Sequence, residues 1–144
     1  MKKILIILFF GFYSLSISAD YDQKMTFDEM INEYKIYSLA LCIKNNYEKM
    51  GVDFNQLPLK DITRGFIDID AGLGFGGNGK TTNVLEDYIQ MKTGHFYQPV
   101  HKTGDMASTN IVIYQFADFY ESQELKDFLK KQIELRLLEL GEDA

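Results

Sequence analysis

The sequence has little with which to hold a metal or staple itself covalently. It carries one cysteine, Cys42, and two histidines, His95 and His101, in 144 residues. A lone thiol cannot form an internal disulfide, and one cysteine with two histidines cannot complete a four-ligand structural zinc site. Basic charge is also scarce: 15 Lys+Arg stand against 21 Asp+Glu, a formal net charge of −6. No cluster of five or more basic residues occurs, so the electrostatic footprint needed to bind a phosphate backbone is missing and nucleic acid is set aside as a partner. Internal repeats and domain linkers are absent too. What remains is 46% hydrophobic and 25% charged, the make-up of one soluble domain, with 11 Phe and 9 Tyr to supply packing bulk.

Residues 1–19, MKKILIILFFGFYSLSISA, have the three parts of a secretory signal peptide. Lys2 and Lys3 lead, an apolar run extends from Ile4 to Tyr13, and small residues end at Ser18-Ala19. Cleavage is expected after Ala19, or after Ser18 because Ile17 is bulky. A membrane anchor would need about 20 apolar residues, and Ser14, Ser16 and Ser18 interrupt the run, so no stable membrane insertion is expected after cleavage. No cysteine near the cut offers a lipid attachment point. The expected mature domain is residues 20–144. Losing Lys2 and Lys3 from the 15 basic residues leaves 13 against 21 acidic ones, a charge of about −8. Export delivers Cys42 to an oxidising space, where its place in an apolar stretch favours burial over pairing with another chain.

The mature chain reads as helices. Thr26-Phe27-Asp28-Glu29 is a capping box, and apolar residues then recur at Phe27, Met30, Ile31, Tyr34, Tyr37, Ala40 and Leu41. Ile43, Tyr47 and Met50 continue the stripe until Gly51 offers a left-handed stop. The stretch after Pro58 has two readings. Ile67-Asp68-Ile69-Asp70 alternates like a strand, whereas Leu59, Ile62, Phe66 and Ile69 fall at helical intervals behind Pro58; helix is favoured. Asn83 caps a helix carrying Val84, Leu85, Tyr88 and Ile89, ended by Gly94. Residues 94–109 form a long turn-rich loop with Gly94, Pro99 and Gly104, of the kind that often carries function. Ile111, Val112, Gln115, Phe116, Phe119 and Tyr120 share a helical face despite a β-branched opening. Ser122 caps a last helix with Leu125, Phe128, Leu129, Ile133, Arg136, Leu137 and Leu140, up to Gly141. The expected fold is all-α, a compact bundle of about five helices with long loops.

Gly74-Phe75-Gly76-Gly77-Asn78-Gly79-Lys80-Thr81 satisfies the phosphate-loop pattern, in which backbone amides cradle phosphates, Lys80 neutralises them and Thr81 holds Mg²⁺. Phe66–Asp70 would serve as the preceding strand, Asn83 onward as the following helix, and Ile111–Tyr114 leading to Asp118 as a partner carboxylate. A nucleotide hydrolase of that type needs several parallel strands with long crossovers, and the mature chain leaves little material for them. Gly74, Gly79, Lys80 and Thr81 are therefore read as a decoy in a glycine-rich loop. Nucleotide binding stays as the alternative. His95 and His101 with Asp105 would make only a loose metal site, and two solvated loop histidines are the commoner outcome. A Cys42–histidine nucleophile is disfavoured because burial disfavours the thiolate. Asp61, Asp68 and Asp70 are read as a solvated acidic face in preference to paired catalytic carboxylates. No catalytic, cofactor or metal site is expected.

Two stretches carry a resemblance: Tyr34-Lys35-Ile36-Tyr37-Ser38-Leu39-Ala40-Leu41-Cys42-Ile43, and Phe119-Tyr120-Glu121-Ser122-Gln123-Glu124-Leu125. With the signal peptide, they make the chain similar to immunity proteins of type VI secretion amidase effectors, small helical inhibitors of cysteine peptidases that cut peptidoglycan peptides. The resemblance implies a periplasmic, all-helical, homodimeric inhibitor that blocks the cleft of a cognate peptidoglycan amidase, and not an enzyme. Members of that family often carry a second cysteine near the position of Phe116, so the disulfide it would allow with Cys42 is missing here. The glycine-rich Gly72–Gly79 segment is also peculiar to this chain. The expected effector-binding residues are His95, Phe96, Tyr97 and His101 in the long loop, with Phe75 and Asn78 in the glycine-rich one. For the aromatics the competing reading is that they fold back onto the core. A third possibility is a generic exported binding domain.

Overall fold

The computed structural model describes residues 24–75 and 83–141. The leader 1–19 and Asn78, Gly79, Lys80 and Thr81 lie outside the described residues. Five α-helices follow in order: α1 Phe27–Lys49, α2 Thr63–Ala71, α3 Val84–Thr93, α4 Val112–Glu121 and α5 Gln123–Leu140, with a short 3₁₀ turn, Phe54–Gln56, between α1 and α2. Among the described residues there is no strand, and no helix is long and apolar enough to cross a membrane. The fold is an all-α bundle.

Helix α1 is the hub, packing against each of the other four helices. Its start is the capping box: the Glu29 amide donates to Thr26 Oγ1 at 3.3 Å, and Glu29 Oε2 accepts from the Thr26 amide at 2.7 Å. Its end is Met50, after which Gly51 turns the chain at φ 93°, where a side chain would be strained. Tyr34, Tyr37, Ser38, Cys42 and Asn46 have no exposed surface. These residues do not share one narrow stripe, as befits a helix enclosed on several sides. Ser38 satisfies its hydroxyl within the helix, donating to the Tyr34 carbonyl at 2.7 Å.

Caps fix α3 and α5 as well. Asn83 Oδ1 accepts from the Leu85 and Glu86 amides, and Ser122 Oγ accepts from the Leu125 amide. Helix α5 buries Leu125, Leu129, Ile133 and Leu137, one residue every turn, against α1 and α4. Val112 and Phe116 are the buried residues of α4. Phe128 of α5 lies flat on Tyr88 of α3, with ring centroids 3.6 Å apart.

Helix α2 departs from expectation in its start. It begins at Thr63 and not behind Pro58; Asp61 Oδ1 takes both the Thr63 amide, at 2.8 Å, and its hydroxyl, at 2.5 Å. The stripe at helical spacing is turned outward: Leu59 is 85% exposed, Ile62 68%, Phe66 58% and Ile69 84%, while Ile67 is buried. Arg64 explains the choice. On the inner side its guanidinium donates to Tyr37 Oη at 3.2 Å and pairs with Glu86, which also accepts from Tyr37 Oη. Rolling α2 to bury Ile62 and Ile69 would withdraw Arg64 from that network and leave a partly buried Tyr–Glu pair without its cation.

Candidate functional site

The long loop after α3 is fastened to the last turns of α1. Asn46, fully buried, donates through Nδ2 to the Thr93 carbonyl at 3.0 Å and to the Cys42 carbonyl at 2.9 Å; its Oδ1 accepts from the Tyr97 amide at 2.8 Å. One side chain thus grips the chain on both sides of the turn at Gly94–Phe96. Lys49 adds a bond from Nζ to the Gly94 carbonyl at 2.6 Å and lies 5.4 Å from the Tyr97 ring centroid. Gly94 is required by close approach: a Cβ there would run into the carbonyl and side chain of Gln90. The far end is tied too, since Asn110 Nδ2 donates to Met50 Sδ at 2.8 Å. Between these ties, turns closed by Ala107 N–H to Gly104 O and Thr109 N–H to Met106 O shape an exposed stretch.

The candidate residues divide clearly. His95 and His101 are exposed on the loop. Tyr97 is half-buried, its ring covered by the Lys49 ammonium. Phe96 and Phe75 are turned inward, the second of the two readings given for these aromatics. Phe96 is a core residue, and Phe75 packs edge-on against Tyr34 with centroids 4.7 Å apart. Each buries more apolar surface inward than it would exposed on a loop. Gly74 is exposed at φ 64°. Sequence reasoning overlooked Val100 and Met106, exposed apolar side chains on the same loop. Val100 was legible in principle as the single aliphatic residue between Pro99 and His101.

The elements that flank the other candidate groups are helical. Phe66–Asp70 lies within helix α2 and Val112–Tyr114 within α4, so the strands required on either side of a phosphate loop are helices, and Asp118 sits exposed on α4. Asp68 and Asp70, two apart on a helix, point about 200° apart around its axis and do not form a pair. Asp61 is held below the usual carboxylate range by its hydrogen bonds from Thr63. Burial pushes the Cys42 thiol up, against weaker opposing hydrogen bonds from Thr93 and Asn46. Among the described residues no three His, Cys, Asp or Glu side chains gather as metal ligands would.

Two hollows flank α2. A groove of about 500 Å³ runs between α1 and α2, lined by Glu33, Ile36, Ile62 and Phe66 among others. A smaller one of about 240 Å³ lies under the 3₁₀ turn between Ile43, Phe54 and Arg64. The groove was not legible in the sequence, because the helical spacing of Ile62 and Phe66 does not say which side of the helix is covered.

Compared with known proteins, the chain matches no family model, no curated protein and no solved structure.

Proposed function

We propose that this chain is an exported immunity protein, which binds a peptidoglycan-cleaving cysteine amidase delivered by a type VI secretion system and occludes its cleft. The observation that carries the reading is the loop between α3 and α4, exposed from Gln98 to Met106 and clamped by Asn46 and Lys49 at one end and by Asn110 on Met50 at the other. A loop held in one shape before it meets its target loses less conformational entropy on binding, which is how a small inhibitor reaches high affinity. The acidic charge supports the same reading: a mature domain with 13 basic against 21 acidic residues is drawn to a cationic partner by its field. The family-like Tyr34–Ile43 and Phe119–Leu125 stretches form the hub helix and the α4–α5 corner, so they support the scaffold and leave partner choice to the loops. In this reading the protein is periplasmic, forms homodimers and carries out no catalysis.

Stoichiometric inhibition at nanomolar Kd needs about −12 kcal/mol, which an interface of about 1,600 Å² supplies when a few anchors are fully desolvated. The test titrates residues 20–144 into a peptidoglycan-cleavage assay with a candidate cognate type VI amidase. The expected result is loss of cleavage at one equivalent, with weaker inhibition when residues 99–106 are replaced by a Gly-Ser stretch. Full cleavage at excess inhibitor contradicts the reading. Nucleotide binding that Lys80→Ala abolishes would point to the phosphate-loop alternative instead.

A further inference from the structure

The outer side of α2 and the chain leading into it carry an apolar patch that no other described residue buries. Leu59, Ile62, Phe66 and Ile69 are all more than half exposed, and Ile36 of α1, 39% exposed, lines the same groove as Ile62 and Phe66. Single exposed aliphatics are ordinary, but four large apolar residues between positions 59 and 69, continuous with a groove, form the kind of patch that marks a protein contact. The Arg64–Tyr37–Glu86 network holds Ile67 inward and so fixes this patch outward, where no described residue buries it.

The charge around the patch selects the occupant. Glu33 and Asp61 line the groove, and exposed Asp70 stands one helical turn beyond Phe66, against Lys60 as the groove's cation. Two copies meeting through this face would set acidic rims against each other in a chain already at −6, which disfavours self-association there. An apolar centre with an acidic rim fits a partner that offers an aliphatic or aromatic side chain ringed by Lys and Arg. Ile36 and Asn46 are ten residues apart on α1, about 15 Å along its axis. Along that axis, the patch and the clamped loop are separated by less than the span of one standard interface.

We infer that the outer face of α2 is a second docking surface for the amidase, receiving an apolar side chain of that protein from within a ring of basic residues. The inference rests on the immunity reading and adds a contact to it. Calorimetric titration of the amidase with residues 20–144 tests it, using Ile62→Glu, Ile69→Glu and Ile69→Lys. All three side chains replace solvent-exposed ones, so circular dichroism and Tm should match the wild type. Each variant should raise Kd by about 30-fold or more, the loss typical of a central anchor. Ile69→Lys should be weaker than Ile69→Glu, and added salt should narrow the gap. Wild-type binding with unchanged Kd in all three variants overturns the α2 surface and leaves the immunity reading standing. No binding by the wild type overturns both. A wild-type dimer that Ile69→Glu dissociates in sedimentation shows a homotypic contact and overturns the inference.

Discussion

Asn46 concentrates more of the structure in one side chain than any other polar residue of α1. Its amide joins Thr93 and Tyr97, 47 and 51 positions away, to the hub helix. Asn46→Ala would leave the buried Thr93 carbonyl and the Tyr97 amide without their partner, and should cost about 2–4 kcal/mol in urea unfolding. The residue was invisible in the sequence, where it sits in a polar Lys44-Asn45-Asn46 run whose partners no spacing rule reveals. Glu29 is the opposite case, legible at once from Thr26-Phe27-Asp28-Glu29. Hydrogen bonds from Thr26 hold its carboxyl below the ordinary value of 4.5 in the folded chain. A group so depressed stabilises the fold above its unfolded value, and that stabilisation is lost as pH falls through the folded one. The Tm gap between wild type and Glu29→Ala should therefore be constant at neutral pH and shrink as pH falls below about 4.5. Cys42, buried with its thiol pushed up, should resist a thiol reagent in the folded protein and react on unfolding in urea.

Helix ends were legible wherever a side chain caps them: Thr26, Asn83 and Ser122 each accept from the amides expected of them. Facing was legible for α5, whose four-residue spacing allows one inner side. It was not legible for α2, where Leu59, Ile62, Phe66 and Ile69 make as good a stripe as the one around Ile67. Spacing measures amphipathicity but does not say which side a distant Tyr37 and Glu86 will claim, and Arg64 decides it. The two sides of α2 should answer mutation very differently. Ile67→Ala should cost about 2–4 kcal/mol, whereas Ile69→Ala should change stability by about 0.5 kcal/mol or less. Chemical denaturation of the pair checks the assignment.

The whole molecule is an acidic bundle organised around one central helix, with a clamped loop at one end of that helix and an apolar groove beside it. The all-α class followed from caps and periodicity, because most of the chain's apolar residues recur at three and four. The binding surfaces did not follow, since Phe75 and Phe96 satisfy the core and the spacing of the exposed apolar residues does not say which side is covered. Because residues 20–144 carry 13 basic against 21 acidic side chains, association with a cationic partner should slow as salt is added, while the dissociation rate changes less. Stopped-flow mixing at several ionic strengths measures both. The central claim, protection by occlusion, is tested most directly by sending a candidate cognate type VI amidase to the periplasm with and without this protein. Cells making both should keep growing while cells making the amidase alone lyse. Equal lysis in the two cultures, with both proteins present in the periplasm, would contradict the account.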